Sequence, residues 1–233
     1  MTPKMVLFDF GGTLWGENFN ALAGIAAILP CLGETARTMQ PLALALHEQA
    51  LIHAMHAKTE LEKPLVQIMR LFLATEGIPL PPGTDLEDLI YRFWLASEPT
   101  ILKEGVVELL QELHRRNIRA GVISNTGISG QVMRRRLDAS LPGHHFELVI
   151  TSCDYLYCKP DAMLFRVAEK LAGLSPDELV YCGNSFQADV RGAAGAGWST
   201  VWYNEEGEAP PEDAEAYPHK EIRHWRELFD VLA

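Results

Sequence analysis

Apolar residues along this chain recur with two different periods, and the periods divide it. Near the N-terminus, Met5, Val6, Leu7 and Phe8 form a short continuous apolar run closed by the pair Gly11-Gly12. Such a run, bounded by turn residues, predicts a strand buried on both faces, as in a parallel sheet. From Asn18 to Glu98 the spacing becomes helical. Helices are predicted over 20–29, ended by Pro30, and over 39–57, with Leu42, Leu46, Ala50 and Ala54 as the apolar stripe. A third runs over 61–76 with Gly77 past its end, and a fourth from Thr84-Asp85 to Ser97. After Pro99, strands at 120–123, 148–151, 179–182, 200–203 and near 221–222 alternate with helices. Strict alternation implies an α/β fold with a parallel sheet and crossover helices. The helical block is read as a separate insertion over 16–98, within a core formed by 1–15 and 99–233.

Composition narrows the partners. The 233 residues are 48% hydrophobic and 22% charged, which is ordinary for a globular chain. Formal net charge is −11, from 31 acidic and 20 basic residues, with no basic run. Nucleic acid and anionic membrane are therefore poor partners. No apolar run approaches the length of a membrane span, and no secretory leader is visible. Four cysteines, Cys31, Cys153, Cys158 and Cys182, form no CxxC pair. Reduced thiols and a cytoplasmic location are the expectation. The segment 205–218 is acidic and contains Pro, and is expected to be mobile.

The apolar runs end in polar residues, and those ends carry the chemistry. Asp9 closes the first strand, Ser124-Asn125-Thr126 the second, and Asn184, with Asp189 farther on, the fourth; Lys159 lies in a Lys-Pro loop. In open α/β sheets, ligands bind outside the carboxyl ends of the strands. A carboxylate nucleophile, a hydroxyl, a lysine and further oxygen donors form a coherent set for phosphoryl transfer. A divalent cation such as Mg²⁺ would shield the repulsion between nucleophile and phosphate.

With these loops in this order, the chain resembles the haloacid dehalogenase superfamily over nearly its whole length. The resemblance rests on Asp9-x-x-Gly12-Thr13, Ser124-Asn125, Lys159-Pro160 and Gly183-Asn184-Ser185 with Asp189. It implies a Rossmann-like core, a mobile helical cap and Asp9 as nucleophile. Ser124, with Asn125, Thr126, Thr13 and Trp15, would bind substrate, and Lys159 would pair with Asp9 and the phosphate. Asp9, the Gly11 carbonyl, Asn184 and Asp189 would hold Mg²⁺, and the substrate would be a small phosphorylated metabolite.

Two positions depart from the family's phosphatase pattern. Gly11 stands where a second Asp usually acts as general acid and base, a function worth about 10²–10⁴-fold. Asn184 stands where Gly-Asp-Ser is usual, which removes a charge from the metal site. Three readings follow, in descending order. The first is a phosphatase of esters with good leaving groups. The second is a metal-independent haloacid dehalogenase-like hydrolase, although no aromatic hydroxyl occupies position 11. The third is a binding or regulatory protein that keeps the fold without efficient chemistry.

The other candidates are weaker. His53 and His56 are an i, i+3 pair on the helix that also carries His47, and Lys58 and Lys63 belong to the same helical block. Solvated or packed side chains are the expected role of these histidines. Cys158 is expected to be a small buried thiol, and Arg134-Arg135-Arg136 a solvated helix face. Packing at the cap hinge is an equal alternative for Trp15.

Overall fold

The computed structural model describes residues 3–16, 18–56 and 61–232. Lys58 lies outside the described residues, as does the side chain of His56. Among those described, six strands form one parallel sheet: β1 (Met5–Phe8), β2 (Arg119–Ser124), β3 (Phe146–Thr151), β4 (Leu179–Gly183), β5 (Ser199–Tyr203) and β6 (Lys220–Ile222), in the order 3-2-1-4-5-6. Met5 pairs with Arg119 on one side and Leu179 on the other, so β1 is central. All four β1 residues are buried. Val6 and Phe8 enter the apolar cluster on one face, and Met5 and Leu7 the cluster on the other. This is the alternation a pleated strand imposes, here with both faces covered. The chain winds outward through β2 and β3, then returns beside β1 as β4. That reversal opens a crevice at the carboxyl end of β1.

The helical block follows β1 directly: α1 (Ala21–Ile28), α2 (Glu34–Arg37), α3 (Pro41–His56), α4 (Leu65–Thr75) and α5 (Leu86–Ser97). Asn20 and Asp85 cap α1 and α5 by accepting hydrogen bonds from backbone N–H groups of the first turn. Helix α4 starts later than its apolar pattern suggested. Residues 61–64 lie outside it, because Lys63 precedes Pro64 and that position is biased against helix. Helix α3 turns a different face inward than its stripe predicted. Leu42 and Leu46 are exposed, whereas Leu44, Ala45 and Glu48 are buried. With apolar residues on both sides of α3, spacing alone could not choose the buried face.

The two connections between block and sheet pair with each other. Trp15 bridges Leu102 in antiparallel fashion, with Gly16 N donating to Ile101 O at 2.7 Å and Lys103 N to Leu14 O at 3.0 Å. Trp15 is fully buried there, stacked on Phe10 at 5.0 Å, and Phe10 also meets Trp94 of α5 at 5.8 Å. One apolar cluster thus runs from the sheet face into the helical block.

The remaining helices are α6 (Val106–Arg115), α7 (Gly130–Ser140), α8 (Ser152–Tyr155), α9 (Met163–Ala172), α10 (Arg191–Gly195) and α11 (Leu228–Val231). On α7 the three arginines diverge, as consecutive helix residues must. Arg135 pairs with Asp88 at 2.8 Å, and Arg134 donates to the Phe146 carbonyl at 2.9 Å. Arg136 departs from the solvated face expected of it. It is completely buried, donates to the carbonyls of Trp94 and Glu98, and lies over the Trp94 ring at 4.1 Å. A cation at the carboxyl end of α5 complements the helix dipole there. The acidic segment after β5 is tied down rather than loose. Asn204 holds Glu208, Arg191 pairs with Asp213 at 2.6 Å, and Ala214 is buried.

Candidate active site

The chain reverses direction after Phe8, and Gly12 makes this possible. Its φ is +73°, and a Cβ there would lie 2.4 Å from the Asn184 side chain. The turn points Asp9 across the end of the sheet. Its Oδ1 accepts a hydrogen bond from Lys159 Nζ at 2.8 Å, and Asp189 Oδ1 accepts another from the same ammonium at 2.7 Å. Lys159 Nζ also reaches the Ile123 carbonyl at 3.0 Å and the Tyr181 hydroxyl at 2.7 Å. Tyr181 in turn donates to Ile123 O at 2.7 Å.

Asn125 positions that lysine through its main chain. Its Nδ2 donates to Lys159 O at 2.9 Å and its Oδ1 accepts from Lys159 N at 2.8 Å. The Lys159–Pro160 peptide bond is cis. Asp189 is held just as tightly. Its Oδ2 accepts from Ser185 N at 2.9 Å, and it packs so closely on Gly183 that a Cβ there would lie 2.3 Å from Asp189. A five-residue π-helical turn, Phe186–Val190, presents Asp189.

Burial and charge decide the protonation of this cluster. Desolvation alone would lower the Lys159 ammonium, but Asp189 and Asp9 hold it above its ordinary value. Burial pushes Asp189 up to about 6, against the pull of Lys159. One ammonium thus serves two carboxylates, and with both ionised the floor carries an excess negative charge.

Asp9, Gly11, Ser124, Asn125, Thr126, Lys159, Asn184 and Asp189 all border one cavity of about 650 Å³, closed on its far side by the helical block. Ser124 is nearly buried, and its hydroxyl has no protein partner among the described residues. The Thr126 main chain donates to Ser152 Oγ at 2.7 Å. Two residues read as substrate-binding lie elsewhere. Trp15 sits in the apolar junction, outside the cavity. Thr13 is wholly buried, with Oγ1 within 3.3 Å of Asp9 Oδ2 and 3.0 Å of Asn184 Oδ1, and it accepts from Asn184 N at 3.0 Å. It fixes the two strand ends against each other. A small hydroxyl there can bridge the loops from inside, and an indole in that turn is drawn into the core by its apolar area.

The donor set for a cation is sparse. Among the described residues, no group of three or more His, Cys, Asp or Glu could hold a metal. Thr13 Oγ1 links Asp9 Oδ2, at 3.3 Å, to Asn184 Oδ1, at 3.0 Å, and Asp9, Gly11 and Asn184 all border the same space. Asp189 is different, because both of its oxygens are already engaged. An excess negative charge and hard oxygen donors fit Mg²⁺, which binds through one or two carboxylates and keeps waters or phosphate as its other ligands. The site suits a weakly held ion.

Sequence reasoning missed Tyr181, hidden in the apolar run of β4, and Glu48, a cavity-lining carboxylate on α3. The weaker candidates settle simply. Cys158 is half-buried, and burial and Glu62, whose Oε2 lies 3.5 Å away, push its thiol up to about 11, which disfavours the reactive thiolate. His47 pairs with Glu76 at 3.0 Å, and Lys63 is buried at the cavity wall.

Comparison with known proteins identifies the family and the fold. The family model for haloacid dehalogenase-like hydrolases matches residues 3–197. A phosphoserine phosphatase of Thermus thermophilus is 37% identical over 120 residues, covering 52% of this chain and 47% of the relative. A pyrimidine 5'-nucleotidase of Streptococcus pneumoniae is 29% identical over 143 residues, 61% of this chain and 58% of the relative. The matched region spans about half the length of these relatives. Among solved structures, a 2-haloacid dehalogenase from Pseudomonas syringae superposes with a TM-score of 0.70 at 24% identity, covering 99% of this chain and 98% of that one. A phosphatase from Thermococcus onnurineus gives 0.67 at 21% identity, with 99% and 98% covered. Strand order, loop order and the family match agree: this chain belongs to the haloacid dehalogenase-like hydrolases.

Proposed function

We propose that this hydrolase is a Mg²⁺-dependent phosphatase of small phosphorylated metabolites, working through an aspartyl-phosphate on Asp9. The observation that carries the reading is the Asp9–Lys159 pair at 2.8 Å on the floor of a cavity roofed by helices. Asp9 attacks phosphorus, forming a phosphorus–oxygen bond as the bond to the leaving oxygen breaks and the leaving group takes the electron pair. Water then attacks the same phosphorus and frees the carboxylate. Lys159 balances the oxygen charge that builds up in the transition state, and the Ser124 hydroxyl donates to a phosphoryl oxygen. Mg²⁺, held by Asp9, Asn184 and the Gly11 carbonyl, would offset repulsion between carboxylate and phosphate. Thr13 and Asn125 position these groups without touching substrate. The helical block acts as a cap that excludes bulk water. No side chain at Gly11 can protonate a leaving alkoxide, so esters with good leaving groups, such as acyl or anomeric sugar phosphates, are the best substrates.

The test is a panel of acyl, sugar and alkyl phosphates, assayed with and without Mg²⁺ beside a 2-haloacid without metal. Mg²⁺-dependent phosphate release that falls steeply from acyl to alkyl esters is the expected result. Halide release without metal, and no phosphate release, would replace this reading with the dehalogenase.

A further inference from the structure

The cavity has a second wall whose chemistry differs from that of the floor. On the helical side Phe19, Ile52, Ile68, Phe93 and Trp94 line it, and among them stands Glu48 of α3. Glu48 is 0% exposed, and neither of its carboxylate oxygens has a hydrogen-bond partner among the described residues. Burying a carboxyl group in this way is costly, and folded proteins seldom leave such a group unsatisfied. The neighbouring carboxylates are satisfied. Glu62 accepts from Ser152 Oγ at 2.6 Å and from Lys63 N at 2.9 Å, and Glu98 accepts from Trp94 Nε1 at 2.6 Å. Glu48 alone is left without a partner among the described carboxylates of the cavity.

We propose that Glu48 receives an ammonium group on the organic part of the substrate, so that the site selects small phosphate monoesters bearing a primary amine distal to the phosphate. The inference rests on the phosphatase reading for the seat of the phosphate beside Asp9. An ammonium fits better than a hydroxyl for an electrostatic reason. A neutral donor would leave the carboxylate charge uncompensated in an apolar wall, whereas a cation neutralises it. Burial raises the Glu48 carboxyl to about 7, so a cation arriving at neutral pH finds a group ready to ionise. The charges of that wall lean the same way, with Glu48, Glu62 and Glu98 against Lys63.

Non-hydrolysable phosphonates separate this inference from turnover. 3-Aminopropylphosphonate and butylphosphonate, of nearly equal size, would be titrated by calorimetry into wild type, Glu48→Gln and Glu48→Leu. Hydrolysis of an aryl phosphate and melting temperature would be measured alongside. Wild type is expected to bind the amine roughly tenfold or more tighter than butylphosphonate. Both variants should bind the two alike. Glu48→Leu removes an unpartnered carboxyl group and should melt at or above wild type, so it reports even if Glu48→Gln folds poorly. Equal affinity of wild type for both phosphonates, undetectable binding of either, or an amine preference that survives in both variants overturns the proposal. Absence of aryl phosphate turnover in wild type would overturn the phosphatase reading alone, because the phosphonate comparison needs no catalysis.

Discussion

The floor and the roof of the cavity handle buried charge in opposite ways. On the floor, Asp9, Asp189 and Lys159 share short hydrogen bonds, and Asn125, Tyr181, Ser185 and Thr13 hold them in place. On the roof, Glu48 is buried with no partner among the described residues. A satisfied network is rigid before substrate arrives, which suits a transition state whose charge must be met without reorganisation. An unsatisfied group is a standing cost that a ligand can relieve. The two sides therefore divide the labour, with chemistry pre-organised below and recognition left open above.

Removing the floor's cation should give the largest effect. Lys159→Met leaves two carboxylates facing each other in a buried site and is expected to cost about 3–5 kcal/mol of stability, read by urea denaturation. A loss well under that would mean the floor is not the closed network described here. Glu48→Leu should act in the opposite direction. The carboxyl is at about 7 when folded against an ordinary value of 4.5, so the folded state holds its proton more strongly between these values. Wild-type stability should therefore fall relative to Glu48→Leu as pH rises from 4.5 to about 7. The pH-dependent part of the gap should level off above that at about 3 kcal/mol. Parallel pH profiles for the two proteins would break the contrast between roof and floor.

Smaller effects sharpen the floor. Asn184→Asp restores a charge beside Asp9 and should lower the Mg²⁺ concentration for half-maximal activity by roughly tenfold. An unchanged Mg²⁺ response would place the ion elsewhere. Asn125→Ala removes both hydrogen bonds to the Lys159 main chain. It should cost about 1–2 kcal/mol and lower kcat more than it raises KM, since Asn125 positions a group that acts in the transition state.

Much of the floor was legible in the sequence because buried parallel strands are apolar throughout, so the first polar residue marks the strand end. Asp9, Ser124 and Asn184 were found in this way, and the Lys-Pro loop supplied Lys159. Side chains that act from inside the apolar pattern were hidden. Tyr181 looks like another core aromatic until its hydroxyl meets Lys159. Arg136 looks like its two neighbours until the helix turns it into the junction beneath Trp94. Glu48 sits on a helix with apolar residues all around, where no spacing rule identifies the inner face. Of the two readings open for Trp15, packing at the hinge is the one the structure shows, because proximity in sequence to Asp9 is not proximity to the cavity and its ring area draws it into the core.

The central claim is that Asp9 is a Mg²⁺-assisted nucleophile toward phosphorus. Its most direct test is hydrolysis of an activated aryl phosphate by wild type and Asp9→Asn, each with and without Mg²⁺. An aryl leaving group departs without a proton and so bypasses the missing acid at Gly11. The account predicts turnover by wild type only with Mg²⁺, and a loss of roughly 10³-fold or more in Asp9→Asn. Turnover that survives in Asp9→Asn, or that is indifferent to Mg²⁺, would contradict it.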